Sequence, residues 1–92
     1  AHAHPSGVVL HPNVPNPFNP TTKLVYSLNE EMPVRLSVHD MLGRELAVLV
    51  DGLRPAGRWE VLFEGGGLPS GTYLYRIQAG GSVHTRAMTL VK

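Results

Sequence analysis

An antiparallel all-β sandwich of about seven short strands is the fold class this sequence predicts, and three observations carry the prediction. Apolar and polar residues alternate with period two through segment after segment. Turn-forming residues recur at roughly ten-residue intervals. No segment shows the 3.6-residue apolar stripe of a helix.

Val8-Val9-Leu10 reads as a possible short edge strand. Pro12, Pro15, Pro17 and Pro20 then rule out a helix, because proline has no N–H to donate, and they push the preceding residues towards extended geometry. Phe18 sits in the middle of this stiff arm and is expected to plug into the sheet that follows. Lys23 to Leu28 alternates, with Leu24, Tyr26 and Leu28 on one face. Asn29 to Pro33 is a polar loop ending in a proline at a strand start. Val34, Leu36 and Val38 alternate with Arg35, Ser37 and His39, which makes this the cleanest half-buried strand.

Asp40-Met41-Leu42-Gly43 has the chemistry of a tight turn, an Asp that accepts backbone N–H groups and a Gly that tolerates positive φ. Arg44 to Val50 returns as a strand, and Gly52 to Gly57 reads as a polar link. Arg58 to Glu64 places Trp59, Val61 and Phe63 on one face. Gly65 to Gly71 is a long permissive loop. Tyr73, Tyr75 and Ile77 face one way in the next strand, Gly80-Gly81 closes a hairpin, and Ser82 to Lys92 forms the last strand.

The 92 residues make one domain at most, with 42% apolar residues, enough for a modest core, and only 16% charged. A formal charge of +1 supplies no basic field for nucleic acid or an anionic membrane surface. The apolar runs are far too short to span a bilayer. With no cysteine, neither an oxidising nor a reducing compartment is implied. Residues 1–9 read as a linker remnant or expression scar with a possible short edge strand, and residues 10–92 as the domain. The absence of an initiator Met and of a targeting segment suggests the tail piece of a longer polypeptide.

Catalytic and metal chemistry find little support. His2, His4 and His11 lie in the N-terminal segment, and His39 and His84 fall on outward strand positions, where solvated side chains are expected. None has the spacing of a metal site. Glu60 and Glu64 share an outer face opposite Arg58 or Arg76, with no cleft to separate their acidities. No serine sits in a nucleophile elbow, and the glycines at 65–67 precede neither Lys-Ser/Thr nor a helix. No enzyme activity and no cofactor are expected. Trp59, Tyr26, Tyr73 and Tyr75 could form a sugar-stacking platform, but their shared faces with Val, Leu and Ile favour core positions for Trp59, Tyr26 and Phe63.

Two blocks of sequence resemble one family. Pro15-Asn16-Pro17-Phe18-Asn19-Pro20-Thr21-Thr22, followed by Tyr26-Ser27-Leu28 and Val38-His39-Asp40-Met41-Leu42-Gly43-Arg44, resembles the C-terminal sorting domain of the type IX (Por) secretion system. Ala56-Gly57, Leu68-Pro69-Ser70-Gly71-Thr72-Tyr73-Leu74-Tyr75-Arg76 and Met88-Thr89-Leu90-Val91-Lys92 extend the resemblance from about residue 10 to residue 92. His39 stands where the family carries Tyr, and Arg86-Ala87-Met88 replaces a more Lys-rich approach. The sandwich is also similar to the Ig-like domain of flagellar hook-capping proteins.

The resemblance implies an Ig-like, non-catalytic address label at the end of a larger secreted protein of Bacteroidota and their relatives. It would pass through the periplasm to the cell surface or medium, and be read by an outer-membrane translocon or shuttle protein. The preceding cargo domains would be its other partner. Recognition would fall on Gly71, Tyr73, Tyr75, Arg76, Met88, Leu90 and Lys92, with Asn16, Pro17, Phe18, Asn19, Pro20, Asp40, Gly43 and Arg44 as structural motif residues. If the last strand lies at a sheet edge, its unpaired backbone groups would offer a docking ladder. The alternative is a carbohydrate-binding or structural Ig-like appendage of a secreted glycoside hydrolase.

Overall fold

Seven strands in two antiparallel sheets build an Ig-like β-sandwich, in a computed structural model that describes residues 7–92. They are β1 (Val8–Leu10), β2 (Thr21–Leu28), β3 (Met32–His39), β4 (Glu45–Arg54), β5 (Gly57–Glu64), β6 (Gly71–Ala79) and β7 (Ser82–Leu90). One sheet has the order β1-β2-β5 and the other β4-β3-β6-β7. The described residues contain no helix long and apolar enough to cross a membrane.

Alternation directs the core. Leu24, Tyr26, Leu28 and Phe63 from one sheet meet Val34, Leu36, Val38, Tyr75 and Ile77 from the other, all buried. Tyr26 and Phe63 are core residues as expected, whereas Trp59 is only half-buried and donates its ring N–H to Pro55 O at 3.0 Å. Val8 and Leu10 are core residues too, so the sandwich begins inside the segment read as a linker remnant.

Three readings of the strands change. β4 runs on to Arg54, because Gly52, Leu53 and Arg54 pair with Val34, Pro33 and Met32, which leaves only Pro55 and Ala56 to carry the chain to β5 in the other sheet. His39 is buried rather than solvated, with a ring nitrogen 2.8 Å from the buried Ser37 hydroxyl. Both side chains leave the sandwich core, but β3 is a central strand whose neighbours shade them: Ser37 lies between Val48 and Arg76, His39 between Glu45 and Leu74. Finally, Arg76 belongs to the four-stranded sheet and cannot face Glu60 in β5; Lys23 does so, at 3.7 Å across the β2–β5 pair.

The β3–β4 turn forms as its residues dictate. Asp40 Oδ1 accepts the N–H groups of Leu42 and Arg44, each at 2.9 Å, its Oδ2 takes the Arg44 guanidinium at 2.6 Å, and Gly43 has φ +84°. Loss of surrounding water pushes the Asp40 carboxyl up, but the donors from Arg44 and Leu42 prevail and hold it below its ordinary range. Gly80 and Gly81 close the β6–β7 hairpin with φ +58° and +77°, the left-handed pair that a two-residue turn between twisted strands requires.

Candidate recognition surface

The arm from His11 to Pro20 connects the two motif blocks. It leaves β1 along the edge of β2, where His11 N donates to Val25 O and Val14 exchanges both backbone bonds with Lys23. The buried Asn13 amide donates to Pro15 O and Thr22 Oγ1, each at 3.1 Å, and Thr22 Oγ1 donates to Pro15 O at 2.8 Å. These bonds satisfy carbonyl and hydroxyl groups inside a segment whose prolines supply few donors of their own. The Val14–Pro15, Asn16–Pro17 and Asn19–Pro20 bonds are cis.

Beyond Asn16 the arm crosses to the other sheet. Phe18 N donates to Thr89 O and Val91 N donates to Phe18 O, both at 2.9 Å, so one arm residue pairs in parallel with Leu90. Asn16 Oδ1 accepts from Thr89 N at 3.0 Å. The Phe18 ring is 1% exposed and packs edge-on against Phe63, with centroids 6.1 Å apart. The arm thus closes the sandwich at the end of β7 with a buried ring and three backbone-directed bonds. β7 does lie at the sheet edge, but Thr89 and Val91 are already bonded to the arm, so the expected open ladder is occupied over these residues.

The loop 65–70 completes this end. Gly65 N donates to Pro20 O at 2.8 Å, Tyr73 OH to Pro69 O at 2.5 Å and Lys92 N to Ser70 Oγ at 3.0 Å. The Lys92 ammonium reaches Gly66 O at 2.6 Å.

Cross-strand pairing brings most of the predicted recognition residues together, Gly71 opposite Leu90 and Tyr73 opposite Met88. Their side chains, however, turn inward. Tyr73, Tyr75, Met88 and Leu90 are buried, and Tyr75 donates its hydroxyl to His11 O at 2.6 Å. Burial pushes the Tyr75 phenol above its ordinary range, with the Arg86 guanidinium acting the other way. Arg76 lies apart on the outer face of the four-stranded sheet, and its buried Nε has no hydrogen-bond partner. At the surface of this end stand Asn16, Pro17, Asn19 and Lys92.

Several residues that hold the arm were not singled out from the sequence. Asn13 and Thr22 brace the arm from within, whereas Gly65 reaches Pro20 O from the distant 65–70 loop and Arg86 donates to Leu10 O at 2.7 Å, 76 positions away. Local spacing carries no signal for the two long-range pairs. Among the described residues no group of three or more His, Cys, Asp or Glu side chains could hold a metal ion; His2 and His4 lie outside those residues. No family model matches the chain, and no curated protein matches it.

Proposed function

We propose that this chain is a non-catalytic C-terminal targeting module, directing a larger secreted protein across the outer membrane by the type IX secretion route. The observation that carries the reading is convergence. The Asn-Pro-Phe-Asn-Pro block joins the Met88–Lys92 block through the Phe18–Thr89–Val91 bonds, and strand pairing sets Gly71, Thr72 and Tyr73 of the Ser-Gly-x-Tyr element opposite Leu90, Thr89 and Met88, so three blocks that carry the family resemblance meet at one end of the sandwich. An address label must survive as a folded unit while its cargo varies, and locking its motif blocks to one another serves that need.

Burial of Tyr73, Tyr75, Met88 and Leu90 gives these four a supporting role in the label. The reading surface is then the exposed rim of Asn16, Pro17, Asn19 and Lys92, and its reader is an outer-membrane translocon component or a shuttle protein. The sugar-platform alternative loses most of its rings to the core, with Trp59 alone half-exposed among the four aromatics it invoked.

The test is export of a periplasm-directed fluorescent reporter fused to the whole chain, in a type IX-competent host and its translocon-null twin. The fusion must keep β1, since Val8 and Leu10 belong to the core. Reporter on the surface or in the medium of the competent strain alone is the expected result. Periplasmic retention in both strains, with the module folded, would overturn the proposal.

A further inference from the structure

We infer that the β3–β4 turn is a second contact of the same label, its Met41 and Leu42 side chains seating in an apolar cleft of the protein that reads the rim of Asn16, Pro17, Asn19 and Lys92. The inference rests on the targeting reading above. It adds the part of the reader's chemistry that a polar rim does not specify.

Exposure singles out the turn. Leu42 is 80% exposed, the highest of any large apolar side chain among the described residues, and Met41 is 63% exposed. The two are adjacent at the centre of a turn, where Gly, Asn, Asp or Ser is usual. Their backbone is fixed. Asp40 Oδ1 accepts from Leu42 N and Arg44 N, Gly43 N donates to Asp40 O at 3.0 Å, and Asp40 N donates to Arg44 O at 3.0 Å. A turn ordered before binding loses little backbone freedom when its side chains are captured, which favours it as an anchor.

Placement names the occupant. The chain enters the sandwich at the far end, where Gly7 O accepts from Asn29 N and Val8 pairs with Leu28. β3 then runs away from that end over eight residues, roughly 27 Å at 3.4 Å per residue, and the turn follows it. Cargo fused ahead of Val8 therefore hangs from the end opposite Met41 and Leu42. The reading rim lies on the turn's own end. His39 pairs with Leu74 three residues after β6 begins, Gly71 pairs with Leu90, and Lys92 N donates to Ser70 Oγ. β3, β6 and β7 are successive neighbours, so two strand spacings, about 10 Å, separate the line of the turn from the end of β7. Phe18 of the arm pairs with Leu90 just beyond. One protein surface spans that width. A bilayer fits less well, because Asn16, Asn19, Ser70 and Lys92 are exposed on the same end. Lipid would strip them of water without returning hydrogen bonds, whereas a protein interface pairs such groups around an apolar centre. The net charge of +1 gives little attraction to anionic lipid.

The test places Met41→Ser with Leu42→Ser in the reporter fusion, beside the parent and Leu62→Ser. Leu62 is 64% exposed on β5 in the other sheet, so its loss controls for apolar surface in general. The serine pair keeps Asp40 and every backbone donor of the turn, and its urea midpoint should match the parent's. In the competent host its exported reporter should fall about tenfold or more, the scale of losing an interface hot spot. Met41→Gln with Leu42→Gln should show the same loss, whereas exchange of the pair, Met41→Leu with Leu42→Met, and Leu62→Ser should export normally. Normal export of the folded serine and glutamine variants overturns this inference and leaves the targeting reading standing. Failure of the parent itself overturns both, and an equal loss with Leu62→Ser overturns the assignment to the turn. Co-sedimentation of the purified parent with phosphatidylethanolamine–phosphatidylglycerol vesicles, lost in the serine variant, makes lipid the occupant and overturns it as well.

Discussion

The proline arm and the Asp40 turn are both irregular segments with strong sequence signatures, and they are held in opposite ways. The turn is local and polar: every bond that shapes it runs within five residues, from Asp40 to Arg44, and its apolar side chains point into solvent. The arm is long-range and apolar at its centre. Its Phe18 ring fills the sandwich, its backbone pairs with the last strand, and its Asn16 side chain accepts a bond from that strand 73 positions away. A local polar network fixes the shape of a few residues at small cost to the rest, whereas a buried plug couples its segment to the stability of the whole domain.

Removing the plug is the most severe way to break this comparison. Phe18→Ala should cost about 3 kcal/mol or more, the range for deleting a buried aromatic ring. Phe63 loses its edge contact, and Leu90 gains a void beside it. Urea unfolding should show a lower midpoint with an unchanged slope. A midpoint equal to the parent's would make the arm a linker that merely rests on the sheet.

A smaller change sharpens the point within a run of three glycines. A Cβ on Gly65 would lie 3.3 Å from both Leu90 Cδ2 and Phe18 Cε2 and 3.4 Å from Pro20 O, whereas one on Gly67 meets nothing within 4 Å. Gly65→Ala should therefore destabilise by about 1 kcal/mol through overpacking, and Gly67→Ala should stay within about 0.5 kcal/mol of the parent. Equal effects at the two positions would mean that the plug is loosely seated.

These glycines also show where sequence reasoning ends. The run reads correctly as a loop, but nothing local separates Gly65, pressed against the plug, from Gly67 in open space. Alternation correctly gave β2, β3, β5 and β6 their buried faces, because period two is a property of neighbouring residues. It misjudged His39, since it reports which face a side chain takes and not how far neighbouring strands shade that face. β4 extends past Gly52 because its partners in β3 are already in place, a tertiary reward that composition does not display. The recognition set shows the same boundary: motif residues could be named, yet Tyr73, Tyr75, Met88 and Leu90 are drawn inward by pairing and by the arm.

The turn offers the smallest effect and the most specific signature. The folded carboxyl of Asp40 titrates below its ordinary value, so its contribution is fully present above about pH 4, the ordinary aspartate range, and is lost as pH falls through the lower folded value. Asp40→Asn keeps an oxygen that can accept the Leu42 and Arg44 N–H groups but removes the charge that holds the Arg44 guanidinium. At neutral pH the variant should melt slightly below the parent, with the arm unaffected. On acidification the difference should shrink, and it should vanish once the parent carboxyl is protonated as well. Glu45, held low chiefly by its hydrogen-bonded Arg35, titrates in the same acid region, but it is present in both proteins and cancels in the difference. A gap that persisted undiminished at the lowest pH would show that Asp40 shapes the turn through geometry alone, and that its charge contributes nothing to the fold.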